Sequence, residues 1–138
     1  MRTTAALCVL AVAVAGCGAG ASDSSKSFDG EKRAVARVVE DLENAGQDRS
    51  ERKICAELLA DSLLEGLKKQ GTNCTTAVKE ALEDTDSFDL EVEDVTLSGA
   101  SARAKVVSGR AGSSEKVDTL TLEREGSAWK ISELTAPE

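Results

Sequence analysis

The hydrophobic period of this chain changes once, near Asp86, from about 3.6 residues to about two, and that change limits the fold more than any motif does. Upstream, Val35, Val38, Val39, Leu42 and Ala45 recur at helical spacing as one amphipathic stripe, with Asp29 as the expected N-cap and Gly46 as the expected stop. Ile54, Cys55, Leu58 and Leu59, then Leu63, Leu64 and Leu67, form a second helical stretch that Ser50 would cap. Its spacing skips a step at Asp61-Ser62, which predicts two short helices or a kink there. Gly71 ends it, and Cys74, Ala77, Val78, Ala81 and Leu82 make a third stripe. Downstream, Phe88, Leu90 and Val92 alternate with acidic residues, the phase slips at Glu93-Asp94 as at a bulge, and Val95 and Leu97 follow. Ser98-Gly99 turns the chain into Ala102, Ala104 and Val106; residues 109–114 read as a loop. Val117 through Leu122 is a third strand with Leu120 and Leu122 inward, and Glu125-Gly126-Ser127 turns into a fourth, Ala128 to Leu134, carrying Trp129 and Ile131. Helices followed by turn-separated strands predict an α+β fold, with N-terminal helices packed on a curved antiparallel four-stranded meander.

Composition then removes most chemistries. The 138 residues include no His, no Tyr and three aromatics, Phe28, Phe88 and Trp129. Without histidine there is no Ser-His-Asp triad and no histidine-held zinc or haem. Three rings are too few for a stacking platform. Asp84, Asp86 and Asp89 suggest a calcium loop, but Asp89 stands where the turn glycine belongs and Val95 where the bidentate Glu belongs. Glu91, Glu93 and Asp94 read as the wet face of a strand, and Glu40, Asp41 and Glu43 as the polar side of the first helix. Asp118 and Glu123 are expected to face outward, away from Leu120 and Leu122, and no serine sits in a Gly-x-Ser-x-Gly elbow. No enzyme, cofactor or metal is expected.

The N-terminus addresses location. Arg2, an apolar run from Ala5 to Val14 and the small pair Ala15-Gly16 make a secretory signal, too short for a membrane-spanning helix of about 20 residues. Val14-Ala15-Gly16-Cys17 resembles the bacterial lipobox. That resemblance implies cleavage before Cys17 and acylation of Cys17, with anchorage of about 0.8 kcal/mol per buried methylene. The organisation that follows is a signal peptide over 1–16, a lipidated cysteine and flexible tether over 17–28, and a single domain over 29–138. It places the protein at the cell membrane on the extracytoplasmic side. Cleavage removes Arg2 alone among charged side chains, leaving 16 Lys+Arg against 25 Asp+Glu. That acidity argues against nucleic acid and against electrostatic docking on anionic lipid.

Export also sets the fate of Cys55 and Cys74, which are expected to pair in an oxidising compartment. The loop so closed is about 20 residues, a constraint worth about 3 kcal/mol in the chain-entropy model. With no Cys-x-x-Cys, the bridge reads as structural rather than redox-active. Asn73-Cys74-Thr75 matches a glycosylation acceptor by chance in this setting.

The element order, the helical Ile54-Cys55, the cysteine opening the third helix and the closing Gly126-x-x-Trp129-Lys130-Ile131 resemble the nuclear-transport-factor-two-like (cystatin-like) domains of small actinobacterial lipoproteins, over about residues 29–134. The resemblance implies a cone with a hollow between helices and sheet. Catalysis in that fold pairs a carboxylate with a Tyr, His or second acid; with Tyr and His absent, that constellation does not transfer. A non-catalytic module that binds or assembles with another envelope protein is the first reading. The alternative is a small-molecule or lipid carrier whose interior Ala102, Ala104, Val106, Leu120 and Leu122 would line. Trp129 is read as core before it is read as pocket wall. A solvent-open cavity above about 300 Å³ lined by these residues favours the carrier; a closed interior with an exposed apolar patch favours the module. Replacing the anchor residue, Cys17→Ala, should release the protein from membrane fractions or leave it uncleaved, as fractionation and an intact-mass measurement would show.

Overall fold

The computed structural model describes residues 23–85, 88–109 and 114–135. The signal peptide, Cys17 and Asp86 lie outside the described residues. A 3-10 turn, Ser24–Ser27, leads into α1 (Gly30–Gln47). Next come α2 (Glu51–Lys53), running straight into a π-helical turn at Ile54–Leu58, then α3 (Asp61–Lys69) and α4 (Cys74–Glu83). The strands are β1 (Leu90–Ser98), β2 (Ser101–Ser108), β3 (Lys116–Glu125) and β4 (Ala128–Thr135), paired antiparallel in sequence order in an open sheet. The fold is α+β.

Two hairpins turn on two residues each, Gly99-Ala100 and Gly126-Ser127. Glycine comes first in both, at φ +60° and +63°, where its left-handed backbone matches the turn to the strand twist. The bulge expected at Glu93 is present: Val92 pairs with Val106, and Asp94 pairs with Lys105. A second irregularity follows Thr121, which pairs with Glu133 while Leu122 pairs with Ile131. Ser132 is the extra residue, and its hydroxyl donates to the Thr121 carbonyl at 3.2 Å.

Helix α1 covers the concave face. Its buried stripe is Val35, Ala36, Val39, Leu42, Glu43, Ala45 and Gly46, set against a sheet interior that includes Val95, Ala102, Ala104, Val106, Leu122 and Ile131. Two expectations are corrected here. Glu43 is 3% exposed rather than on the polar side, because it follows Val39 by four residues and Ala36 by seven, the spacing of the stripe itself. Gly46 lies inside the helix rather than after it. The stop comes later, at Arg49 (φ +50°), whose N–H donates to the Gly46 carbonyl at 3.1 Å while Ser50 N–H donates to Ala45 at 2.8 Å. That is a Schellman ending with arginine in the position glycine usually takes. The Arg49 guanidinium donates to the Leu82 carbonyl at 3.0 Å, so the residue holds the end of α4 as well.

The helical stretch after Ser50 breaks at Leu59-Ala60, two residues before the expected kink. Leu59 forms a parallel bridge with Ile131, and Ala60 N–H donates to the Ile131 carbonyl at 2.8 Å. The chain leaves its helix to pair with the edge of β4. Helix α3 then starts without a cap of its own. Glu125 accepts from Asp61 N–H at 2.7 Å, and Glu123 accepts from the Ser62 hydroxyl at 2.8 Å, placing negative charge at the positive end of the helix. Glu123 therefore serves α3 through a hydrogen bond open to solvent.

The end of the expected tether also docks on the domain. Ser25 is buried and its N–H donates to Glu40 Oε1 at 2.7 Å, while Val92 N–H donates to the Ser24 hydroxyl at 3.2 Å. These bonds give the β1 edge and α1 a shared partner, so the turn is part of the fold.

Cys55 and Cys74 are bridged, Cα atoms 5.9 Å apart, joining the π-helical turn to the start of α4. Trp129 and Ile131 are both in the core. The Arg124 guanidinium stands 4.9 Å from the centroid of the Trp129 ring and pairs with Glu31 of α1. Trp129→Ala should therefore cost about 3–5 kcal/mol in a denaturant titration, and the native indole should emit to the blue and resist a soluble quencher.

Candidate functional site

Helix α4 packs chiefly on the other helices and not on the sheet. Both of its ends are tied: the first turn by the Cys55–Cys74 bridge and by Asn73, whose side chain accepts from Thr76 N–H at 2.9 Å, and the last by Arg49 on the Leu82 carbonyl. A rod held at two ends cannot settle onto the strands beneath it. The space left is a cavity of about 340 Å³, partly open to solvent.

Three groups of side chains wall it. Val78, Ala81 and Leu82 come down from α4. Leu42 of α1, Ile54 of the π-helical turn and Leu59 close one side. Phe88, Leu90, Val106, Leu120 and Asp118 rise from the sheet and the segment that leads into it. Of the residues named from sequence as possible lining, Val106 and Leu120 are on the wall. Ala102, Ala104, Leu122 and Trp129 are buried elsewhere in the core.

Asp118 was expected outside and is inside. Residues 118, 120 and 122 share one face of a strand of period two, so the signal was the parity itself, Asp118 standing with Leu120 and Leu122. Opposite it in the register is Val106, buried on the same face. Asp118 is half-buried, and it makes no side-chain hydrogen bond or ion pair among the described residues. Among the described residues that line the cavity it is the charged one, and the others are apolar.

Phe88 is seated by Gly46. A Cβ at residue 46 would stand 2.6 Å from Cε1 and 2.7 Å from Cγ of the ring, closer than carbon atoms pack. Helix α1 therefore carries glycine in its last turn to admit the aromatic that forms part of the cavity wall, and Gln47 Nε2 donates to the Phe88 carbonyl at 3.1 Å beside it.

The outer face of the sheet is different in kind. Lys105, alternating with buried Ala104 and Val106, lies 2.7 Å from Glu93, whose hydrogen bond and charge hold the ammonium above the usual lysine range. A second hollow, about 400 Å³, runs beside the disulfide between Arg52, Lys68 and Thr75. Among the described residues no three His, Cys, Asp or Glu side chains gather as a metal site would require. Nor is any described helix long and apolar enough to cross a membrane. No protein-family model, curated protein or solved structure matches this chain.

Gly46 gives a sign test of this packing. On helix propensity alone, Gly46→Ala should stabilise by up to about 1 kcal/mol. Against the Phe88 ring it should destabilise instead, and in a Phe88→Ala background the substitution should turn stabilising. A double-mutant cycle by thermal unfolding reads the reversal.

Proposed function

We propose that this protein is anchored by an acylated Cys17 to the extracytoplasmic face of a cell membrane, where its domain holds a small molecule with a largely apolar body in the cavity beneath α4 without reacting with it. The observation that carries the reading is the cavity: about 340 Å³, open to solvent and walled, among the described residues, by aliphatic side chains, the Phe88 ring and the Asp118 carboxylate. That lies at the small end of the roughly 300–1,000 Å³ range of ligand pockets, whose walls are mostly apolar with a few placed polar groups.

The other reading, a module that docks on an envelope protein, needs an exposed apolar patch. Among the described residues Val117 is the large hydrophobic side chain left exposed, at 42%. The carrier therefore has the stronger support. The docked turn at Ser24–Ser27 adds to it. Six peptide units separate Cys17 from Asp23, so an anchor at Cys17 would hold the described domain within about 20 Å of the bilayer surface. That is a useful distance for a protein that takes its ligand from, or gives it to, the membrane. The resemblance to nuclear-transport-factor-two-like lipoproteins points the same way, since that cone has its hollow between helices and sheet.

N-phenyl-1-naphthylamine, a neutral apolar dye, should bind saturably with a rise in fluorescence. Ala81→Trp, at an exposed helical position on the cavity wall, should abolish that binding while leaving the circular dichroism unchanged. Equal dye binding by both proteins would reject the reading, as would a wild type that binds neither this dye nor n-octanol.

A further inference from the structure

Any molecule that fills this cavity dehydrates Asp118. An apolar occupant would strip water from the carboxylate and return no donor, leaving a charge without solvent or partner. The occupant that fits must bring its own donor to the Asp118 wall.

The surroundings say which kind. No lysine or arginine lines the cavity among the described residues. The lining segments of α4 and of the approach to β1 have Glu80, Glu83, Asp84 and Asp89 as chain neighbours. Among the described cations close in sequence to the lining, Lys79 lies 3.8 Å from Glu83, Lys105 lies 2.7 Å from Glu93, Arg49 is on the Leu82 carbonyl, and Lys53 and Lys116 are exposed. A carboxylate or phosphate ligand would meet charge of its own sign. A neutral hydroxyl would satisfy Asp118 by a hydrogen bond but gain nothing from the field.

We infer that the cavity selects molecules that join an apolar body to one protonated amine, the ammonium donating to the Asp118 carboxylate while the body lies between α4 and the sheet. This inference rests on the carrier reading above and narrows it to a ligand class.

The test uses the whole mature chain carrying Cys17→Ser, which removes the acyl group and the need for a competing detergent. Calorimetric titrations at neutral pH with n-octylamine, n-octanol and n-octanoate compare three head groups on one tail. The amine should bind tighter than the alcohol by about tenfold or more, as a charge-assisted hydrogen bond requires, and the octanoate should bind weakest. Asp118→Asn keeps the shape and removes the charge. It should bring the amine to within about threefold of the alcohol while leaving alcohol affinity nearly unchanged. If the wild type binds amine and alcohol equally, or Asp118→Asn leaves the amine preference intact, the amine inference is overturned. Alcohol binding that Ala81→Trp abolishes would then still uphold the carrier. Failure of all three probes to bind the wild type would reject both.

Discussion

The seating of α1 across the concave face of the meander is the contact on which the rest of this structure depends. Val35, Ala36 and Val39 are wholly buried there, and the sheet meets them with side chains that include Ala102 and Ala104, small enough for the helix to come close. Burying a valine or leucine side chain is worth about 1.5–3 kcal/mol, and this interface gathers most of the core. It also uses the space. With α1 occupying the hollow, α4 is left to pack on other helices, and the gap below it stays open at one end.

Long-range ties hold the segments that α1 does not cover. The Cys55–Cys74 bridge, the Arg49 bond to the Leu82 carbonyl and the Leu59–Ala60 pairing with Ile131 each join parts of the chain that local propensity would leave independent. Helix α3 takes its N-terminal acceptors from Glu123 and Glu125, which lie more than 60 residues further along the chain. Arg49 is in a backbone region that costs an ordinary residue about 1–2 kcal/mol. Its side chain offsets that cost by serving a second helix. The domain is therefore fixed as a frame around its cavity rather than collapsed through it.

Hydrophobic patterning is broken at three places on the buried faces of α1 and β3. Glu43 sits in the apolar stripe of α1, Asp118 in the apolar face of β3, and Gly46 in the last turn of α1 where alanine would favour the helix. Places where a local rule is broken and the break is compensated by a neighbour are where function is to be sought. Gly46 is compensated by Phe88. Asp118 has no such compensation among the described residues, and that gives the cavity its chemical character.

By itself the sequence determined the class of fold, the strand order, the bulge at Glu93 and both glycine turns, because each depends on residues close together along the chain. It also determined the faces of Leu120, Leu122 and Ile131; the same parity puts Asp118 on the face of Leu120, against the expectation that it points outward. The pairing of Cys55 with Cys74 follows from there being two such cysteines in the domain. Only the tertiary structure decided where the second helix breaks, since Leu59 leaves it to meet Ile131 more than 70 residues away. It alone decided that Gly46 makes room for Phe88 instead of ending a helix, and that the carboxylates of β3 cap α3. The cavity belongs to that second group. It is the space between α4 and the sheet, and no residue encodes a space: it exists because α4 is held at both ends above strands whose inner side chains are too short to reach it.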